Sequence, residues 1–250
     1  GAGMSVSFVL EEGITGDTGA ATAGFTRNAN LALSGDFGTF SMGVQYLPSF
    51  SVIGGSDASG TDNQTTSQEY DVRGDSTFMY TSPTIGGGVT VKVATSGDST
   101  ETTAGTTAKT QINDYSVGYA AGALTLGVGR YSSQTTTAGT AGASTSRTSL
   151  GATYDLGVAK VFVNKISTSV AAADTGETNF GVRMPMGAST LYAAWGRNTA
   201  TSSTSSSDYT LGADYAMSKR TYAYARIAKK QLVNAGAITN TTSVGLKHSF

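Results

Sequence analysis

Large apolar side chains recur at every second position in one short segment after another. Val6, Phe8 and Leu10 alternate with Ser5, Ser7 and Val9, and Phe40, Met42, Val44 and Tyr46 alternate with Thr39, Ser41, Gly43 and Gln45. The same rhythm runs through Val89, Val91 and Val93, through Leu124, Leu126 and Val128, and through Phe180, Val182, Met184 and Met186. It returns at Tyr209, Leu211, Ala213 and Tyr215 and closes the chain at Val244, Leu246, His248 and Phe250. A period of two puts the large residues on one face of a strand and the Gly, Ser, Thr and charged residues on the other. The whole chain divides into about fourteen such strands of roughly 8–11 residues, the length of a tilted strand crossing a bilayer. A soluble sandwich or β-helix would need bulk on its inner face, and the small-residue face here has none. The expected fold class is all-β, a transmembrane antiparallel β-barrel with lipid outside and water inside.

The connections alternate too. Short turns are expected near 36–38, 85–88, 120–123, 155–157, 187–189 and 217–219. Long polar loops are expected near 12–23, 47–72, 97–110, 132–144, 167–176, 198–207 and 229–240. Outer-membrane barrels place short turns in the periplasm and long loops outside. The orientation expected is therefore extracellular long loops and two periplasmic termini. The three prolines, Pro48, Pro83 and Pro185, each fall near a strand end, where a missing N–H costs least.

Composition removes the competing classes. Of 250 residues, 38% are hydrophobic and only 13% charged, with 33 glycines. No apolar run approaches the ~20 residues of a membrane helix. Twelve Tyr and nine Phe argue against a disordered Ser/Thr-rich chain. A net charge of −1 offers nucleic acid no general attraction, and the absence of Cys removes disulfides and thiolate metal sites. Gly1 begins directly in ordinary sequence, so an exported chain is expected to be a processed or shortened form. One domain is expected over 1–250.

Several stretches carry a family resemblance. The end Ser243-Val244-Gly245-Leu246-Lys247-His248-Ser249-Phe250 resembles the closing strand of Gram-negative trimeric porins, which end in Phe. The segment from Phe25 to Thr39 resembles the porin strand–turn–strand before the constriction loop, and Ser218-Lys219-Arg220-Thr221-Tyr222-Ala223-Tyr224 resembles the penultimate hairpin, with Met217 in place of a frequent Leu. The run Asp75 to Pro83, before Gly86-Gly87-Gly88, resembles the strand leaving that loop. The nearest type is the general diffusion porin of β-proteobacteria. The resemblance implies a homotrimer and a barrel of about sixteen strands. Residues 1–12 resemble the family's third strand, so an N-terminal hairpin is expected to be missing here; the alternative is a natural fourteen-stranded relative. It also implies that Phe250 is an assembly signal, and that 47–72 folds inward as the constriction loop. Val44 stands where the family usually has Arg.

Candidate pore residues follow from the resemblance and from parity. The loop carries Asp57, Asp62, Glu69 and Asp71, acids that would face basic residues across the lumen and set up a transverse field. Lys92, Arg147, Arg183 and Lys247 share a face with small or polar neighbours, and Arg226 is assigned with them although it shares a face with Tyr222 and Tyr224. A charge facing lipid at mid-depth costs about 2–4 kcal/mol, which points all five inward. Glu11 and Arg27 match a constriction acid and base of the family. Parity opposes Arg27, which shares a face with Ala29, Leu31 and Leu33; the family reading puts it inside with Ala29 and leaves Asn28 and Asn30 outside. Arg130, Arg197, Lys229 and Lys230 are read as solvated strand-end positions. Tyr46, Tyr154, Trp195, Tyr215 and Phe250 are read as interfacial girdles. The excess of inward bases over inward acids implies a mild anion preference.

No enzyme is expected. The only His, His248, has no nucleophile beside it, and the Gly-rich stretches are turns rather than a phosphate cradle. Cofactors are expected to be none: loop-bound Ca2+ is possible in the family but no spacing indicates it, and no metal site is assigned. The expected partners are outer-membrane lipid and lipopolysaccharide, other copies of the chain, and small ions and solutes. The function expected is passive diffusion of small hydrophilic solutes through a water-filled channel. The alternative is a structural or adhesive surface barrel that binds through its loops.

Overall fold

The computed structural model describes residues 3–14, 18–21, 24–59, 72–97, 99–103, 106–170, 173–199, 205–232 and 237–249. Among them lie fifteen strands and one helix. The chain opens with β1 (Ser5–Glu11), β2 (Asn28–Gly35) and β3 (Gly38–Tyr46), then the helix α1 (Pro48–Gly55). There follow β4 (Arg73–Thr81), β5 (Val89–Ser96), β6 (Ser99–Thr103), β7 (Thr106–Ala121), β8 (Leu124–Thr137), β9 (Thr140–Asp155) and β10 (Lys160–Val170). The last five are β11 (Ala173–Met186), β12 (Ser189–Thr199), β13 (Ser206–Ala216), β14 (Thr221–Leu232) and β15 (Ile238–His248). Fourteen of the strands hydrogen-bond in chain order in one sheet, and β6 stands off this path, paired with β7 alone. This is an antiparallel meander, the arrangement that short turns between neighbours permit.

Every short turn expected from the sequence joins two adjacent strands. The long connections differ from expectation. Pairing continues far into them, so that β8 reaches Thr137 before β9 begins at Thr140, and β10 reaches Val170 before β11 begins at Ala173. Residues 97–110 likewise contain the β6–β7 hairpin. The backbone ladder needs no apolar face to form, and Thr is a good strand former. These hairpin ends therefore pair without any hydrophobic alternation to announce them.

The two faces are chemically opposite. On one, large apolar side chains stand open, as with Phe8 at 72% exposure and Leu211 at 55%. On the other, Ser41, Gln45, Thr77, Asp114, Ser149, Asn164, Thr168 and Arg226 are buried. A bulge between β3 and β4 shifts the register at Gly43/Gln45. Gln45 is held there by Ser41 Oγ, which donates to its Oε1 at 2.6 Å, while its own Nε2 donates to Thr77 O at 3.0 Å.

Strand β2 corrects one expectation taken from the family. Asn28 is buried and Asn30 lies on the same polar face, donating from Nδ2 to Asn28 Oδ1 at 2.5 Å. Ala29, Leu31 and Leu33 form the apolar face, with both leucines exposed. Alternation was the better guide, because Asn28, Asn30 and Ala32 sit opposite Glu11, Val9 and Ser7 in the ladder. Tyr46 also departs from its girdle assignment: it stacks on Phe50 at 5.1 Å and lies under the Arg73 guanidinium at 4.5 Å.

By their contacts the residues form two compact units, one of Gly1–Val52, Tyr70–Tyr119 and Gly127–Thr148, the other of Ile53–Glu69, Ala120–Leu126 and Ser149–Phe250. The candidate site is described below unit by unit.

Candidate functional site

In the first unit, the chain leaves β3 and lays the start of α1 on the polar face. Leu47 N donates to Val72 O at 3.1 Å, and Leu47 is fully buried. Pro48 occupies the first helical position, where no N–H is needed. The next free N–H, that of Ser49, donates to Asp114 Oδ1 at 2.8 Å, and Ser49 Oγ donates to Asp114 Oδ2 at 2.5 Å. Asp114 belongs to β7 and has 0% exposure. It caps the helix from a distant strand, and the positive helix terminus favours its negative charge. Gly129 makes room: a Cβ there would sit 2.8 Å from Ser49 Cα.

The bases of this unit are held by polar and aromatic partners. Lys92, on the polar face of β5, donates from Nζ to Ser51 Oγ at 3.1 Å. Arg147 of β9 lies over the ring of buried Tyr131, its guanidinium carbon 5.2 Å from the centroid. Glu11, at the end of β1, takes a hydrogen bond from Arg27 Nε at 2.7 Å. Arg27 lies in a bend just before β2, so strand parity does not govern it, and its side chain turns to the acid.

In the second unit, the chain after α1 is held to the strands by its carbonyls. Ser56 O accepts from Asn164 Nδ2 at 2.9 Å, and Asn164 Oδ1 accepts from Asn179 Nδ2 at 2.8 Å. Ala58 O accepts from Arg183 Nη1 at 2.9 Å. Asp57 Oδ1 accepts from Ser59 N at 2.9 Å and from Ser59 Oγ at 2.8 Å, which ties that acid into its own turn. Asp62, Glu69, Asp71 and Phe250 lie outside the described residues.

The wall of this unit carries a basic cluster. Register places Arg183, Tyr192, Gly212 and Arg226 side by side on four successive strands, β11 to β14. Arg183 Nη2 pairs with Asp214 Oδ2 at 2.6 Å, and Arg226 Nη2 lies 3.8 Å from Asp214 Oδ1. Both guanidiniums also face the Tyr192 ring, at 5.0 and 5.6 Å, and Arg226 stacks on Tyr224 at 4.6 Å. Cation–aromatic contacts of this kind hold an Arg without consuming its charge. Tyr192 lies flat on the sheet because Gly212 beside it has no side chain; a Cβ there would be 2.1 Å from the ring. Arg226 is 6% exposed. Lys247 sits farther along, on β15, with Nζ 5.8 Å from the Tyr222 ring.

Sequence reasoning missed Asp114, Asp214, Tyr192 and Asn164. Parity was the available signal for the two acids: Tyr115 and Val117 mark the apolar face beside Asp114, and Tyr215 and Ala213 mark it beside Asp214. The same signal was present for Tyr192, because Leu191 and Trp195 mark the apolar face beside it.

A meander with its bulky apolar side chains open on one face, charged and hydrogen-bonded groups on the other, and a chain segment fastened to the polar face has the architecture of an outer-membrane β-barrel channel. Among curated proteins no sequence matches. The Gram-negative porin family model matches residues 1–235, and the chain belongs to that family. Its fold is similar to that of the anion-selective porin from Comamonas acidovorans, at 20% identity and TM-score 0.79, covering 100% of this chain and 86% of that one. It is also similar to a loop-L8 deletion mutant of OmpT, an outer membrane protein of Vibrio cholerae, at 20% identity and TM-score 0.77, covering 99% and 86% of the two chains. Salmonella typhi OmpF, in complex with daunomycin, matches at 12% identity and TM-score 0.68 over 91% of this chain and 82% of that one.

Proposed function

We propose that this outer-membrane porin passes small hydrophilic solutes and ions with a mild preference for anions. The observation that carries the preference is the Arg183–Asp214–Arg226 cluster, where two guanidiniums share one carboxylate and the cluster keeps a net positive charge. A fixed charge of one sign on a water-filled wall raises the local concentration of the opposite ion. Further acids on the polar face moderate this: Glu177 and Asp208 are buried there, while Asp114 is balanced by the end of α1 and Asp214 by its two bases. In this reading 47–72 narrows the channel, Asp57, Asp62, Glu69 and Asp71 supply its acidic side, and Glu11, Arg27, Lys92, Arg147 and Lys247 line the lumen. The extended hairpins face outside and both termini face the periplasm, as in other barrels with one set of short turns. The assembly is a homotrimer with lipid and lipopolysaccharide around it.

Reversal potentials in a KCl gradient test the preference. The refolded protein in a planar bilayer is expected to give ohmic steps and a potential displaced toward the chloride equilibrium. A cation-selective potential would overturn the reading of the wall, and a correctly inserted protein without conductance steps would overturn the channel itself.

A further inference from the structure

The polar face of β11–β15 carries a pattern that a preference for simple anions does not need. Guanidiniums and phenol rings alternate along it. Arg183 faces the Tyr192 ring at 5.0 Å, Arg226 faces the same ring at 5.6 Å, and Arg226 also faces the Tyr224 ring at 4.6 Å. Both rings lie over glycines. Gly212 stands beside Tyr192 in the register, and Gly245 stands beside Tyr224, where a Cβ would come 2.6 Å from Tyr224 Oη. Tyr192, with two guanidiniums on it, is 3% exposed.

Toward the short turns the alternation opens. Tyr224 and Tyr222 are both half-buried. They are two residues apart on β14, so they rise from one face about 7 Å from each other. Tyr222 has exposed Ala216 on one side and exposed Lys247 on the other. Lys247 Nζ is 5.8 Å from the Tyr222 ring. Asp214, the register neighbour of Tyr224, serves Arg183 and Arg226. A phenol ring stacks, offset, on another flat ring. An ammonium at its edge takes a carboxylate in a charge-assisted hydrogen bond. Two accessible rings with a lysine beside them therefore suit a flat ring that carries a carboxylate. Chloride would use the bases and leave the rings idle.

We propose that Tyr222, Tyr224 and Lys247 form a subsite for aromatic carboxylates, with the solute's carboxylate on Lys247 and its ring on the tyrosines. The proposal rests on the anion-preferring channel put forward above and names a class of solute for it.

The test measures binding to the refolded full chain in detergent by saturation-transfer NMR, with block of the single-channel current measured in parallel. The probes are benzoate, cyclohexanecarboxylate and benzyl alcohol. Wild type is expected to bind benzoate about fivefold more tightly than cyclohexanecarboxylate, the difference that a stacked ring makes. It is expected to bind benzoate about tenfold more tightly than benzyl alcohol, which lacks the charge. Tyr222→Leu is expected to make benzoate and cyclohexanecarboxylate bind alike, and Tyr222→Phe to keep them apart. Lys247→Ser is expected to bring benzoate down to the level of benzyl alcohol. Tyr154→Leu removes an exposed tyrosine of β9 and is expected to keep the wild-type ratios. Equal binding of benzoate and cyclohexanecarboxylate by wild type would overturn the proposal, as would benzyl alcohol bound as tightly as benzoate. So would a ring preference that survives Tyr222→Leu or that falls equally with Tyr154→Leu. The expected ratios in a protein that passes no current would uphold the subsite and overturn the channel reading.

Discussion

Asp214 lies between two guanidiniums that the rest of the cluster holds in place, Arg183 through Ala58 O and Arg226 through Tyr224. Asp214→Asn keeps the shape and removes the charge. It is expected to move the reversal potential further toward chloride. It is also expected to cost about 3 kcal/mol in urea unfolding, because it removes the charge that half-buried Arg183 and buried Arg226 share. An unchanged potential would mean that the cluster does not face the ion path. Gly212 acts through its neighbour. Gly212→Val would force Tyr192 off the sheet, for an expected loss of about 1–3 kcal/mol and a change in single-channel conductance. Parity made Asp214, Arg183 and Arg226 legible as residues of one face. Which acid meets which base was not legible, since that depends on the registers of three strand pairs.

Among the elements, α1 is the one whose position the alternation could not supply. Its eight residues have no acidic side chain in the first turn, so its start depends on Asp114 from β7. Asp114→Ala is expected to destabilise by about 1–2 kcal/mol, as loss of a helix cap does. Because the cap also fastens the helix to the wall, open-channel current noise should rise in the same variant. Quiet currents with lowered stability would separate the cap from the channel. The resemblance led to the expectation of an inward-folding segment at 47–72, and Pro48 was a local sign of a helix start. The anchors were unreadable because Ser49 and Asp114 are 65 residues apart. The hairpin ends were hidden for another reason: pairing there is carried by backbone groups, and side chains on both faces are polar.

Across the molecule, the opposition of the two faces makes a comparison possible between β13 and β15. Leu211→Arg puts a charge in the apolar band and is expected to cost about 2–4 kcal/mol in unfolding from lipid vesicles. Thr241→Arg, exposed on the polar face of β15, is expected to be nearly neutral. Similar costs at both sites would contradict the assignment of lipid to the apolar face. The two-faced strands and the short turns between them were determined by the sequence alone. A period of two is local: each residue's side follows from its neighbour's, with no need of the rest of the chain. Tertiary structure decided the partners of Asp114 and Asp214, the seat of α1 and the turning of Arg27 to Glu11. Those depend on register added up over several strands, and no segment of the sequence carries that sum.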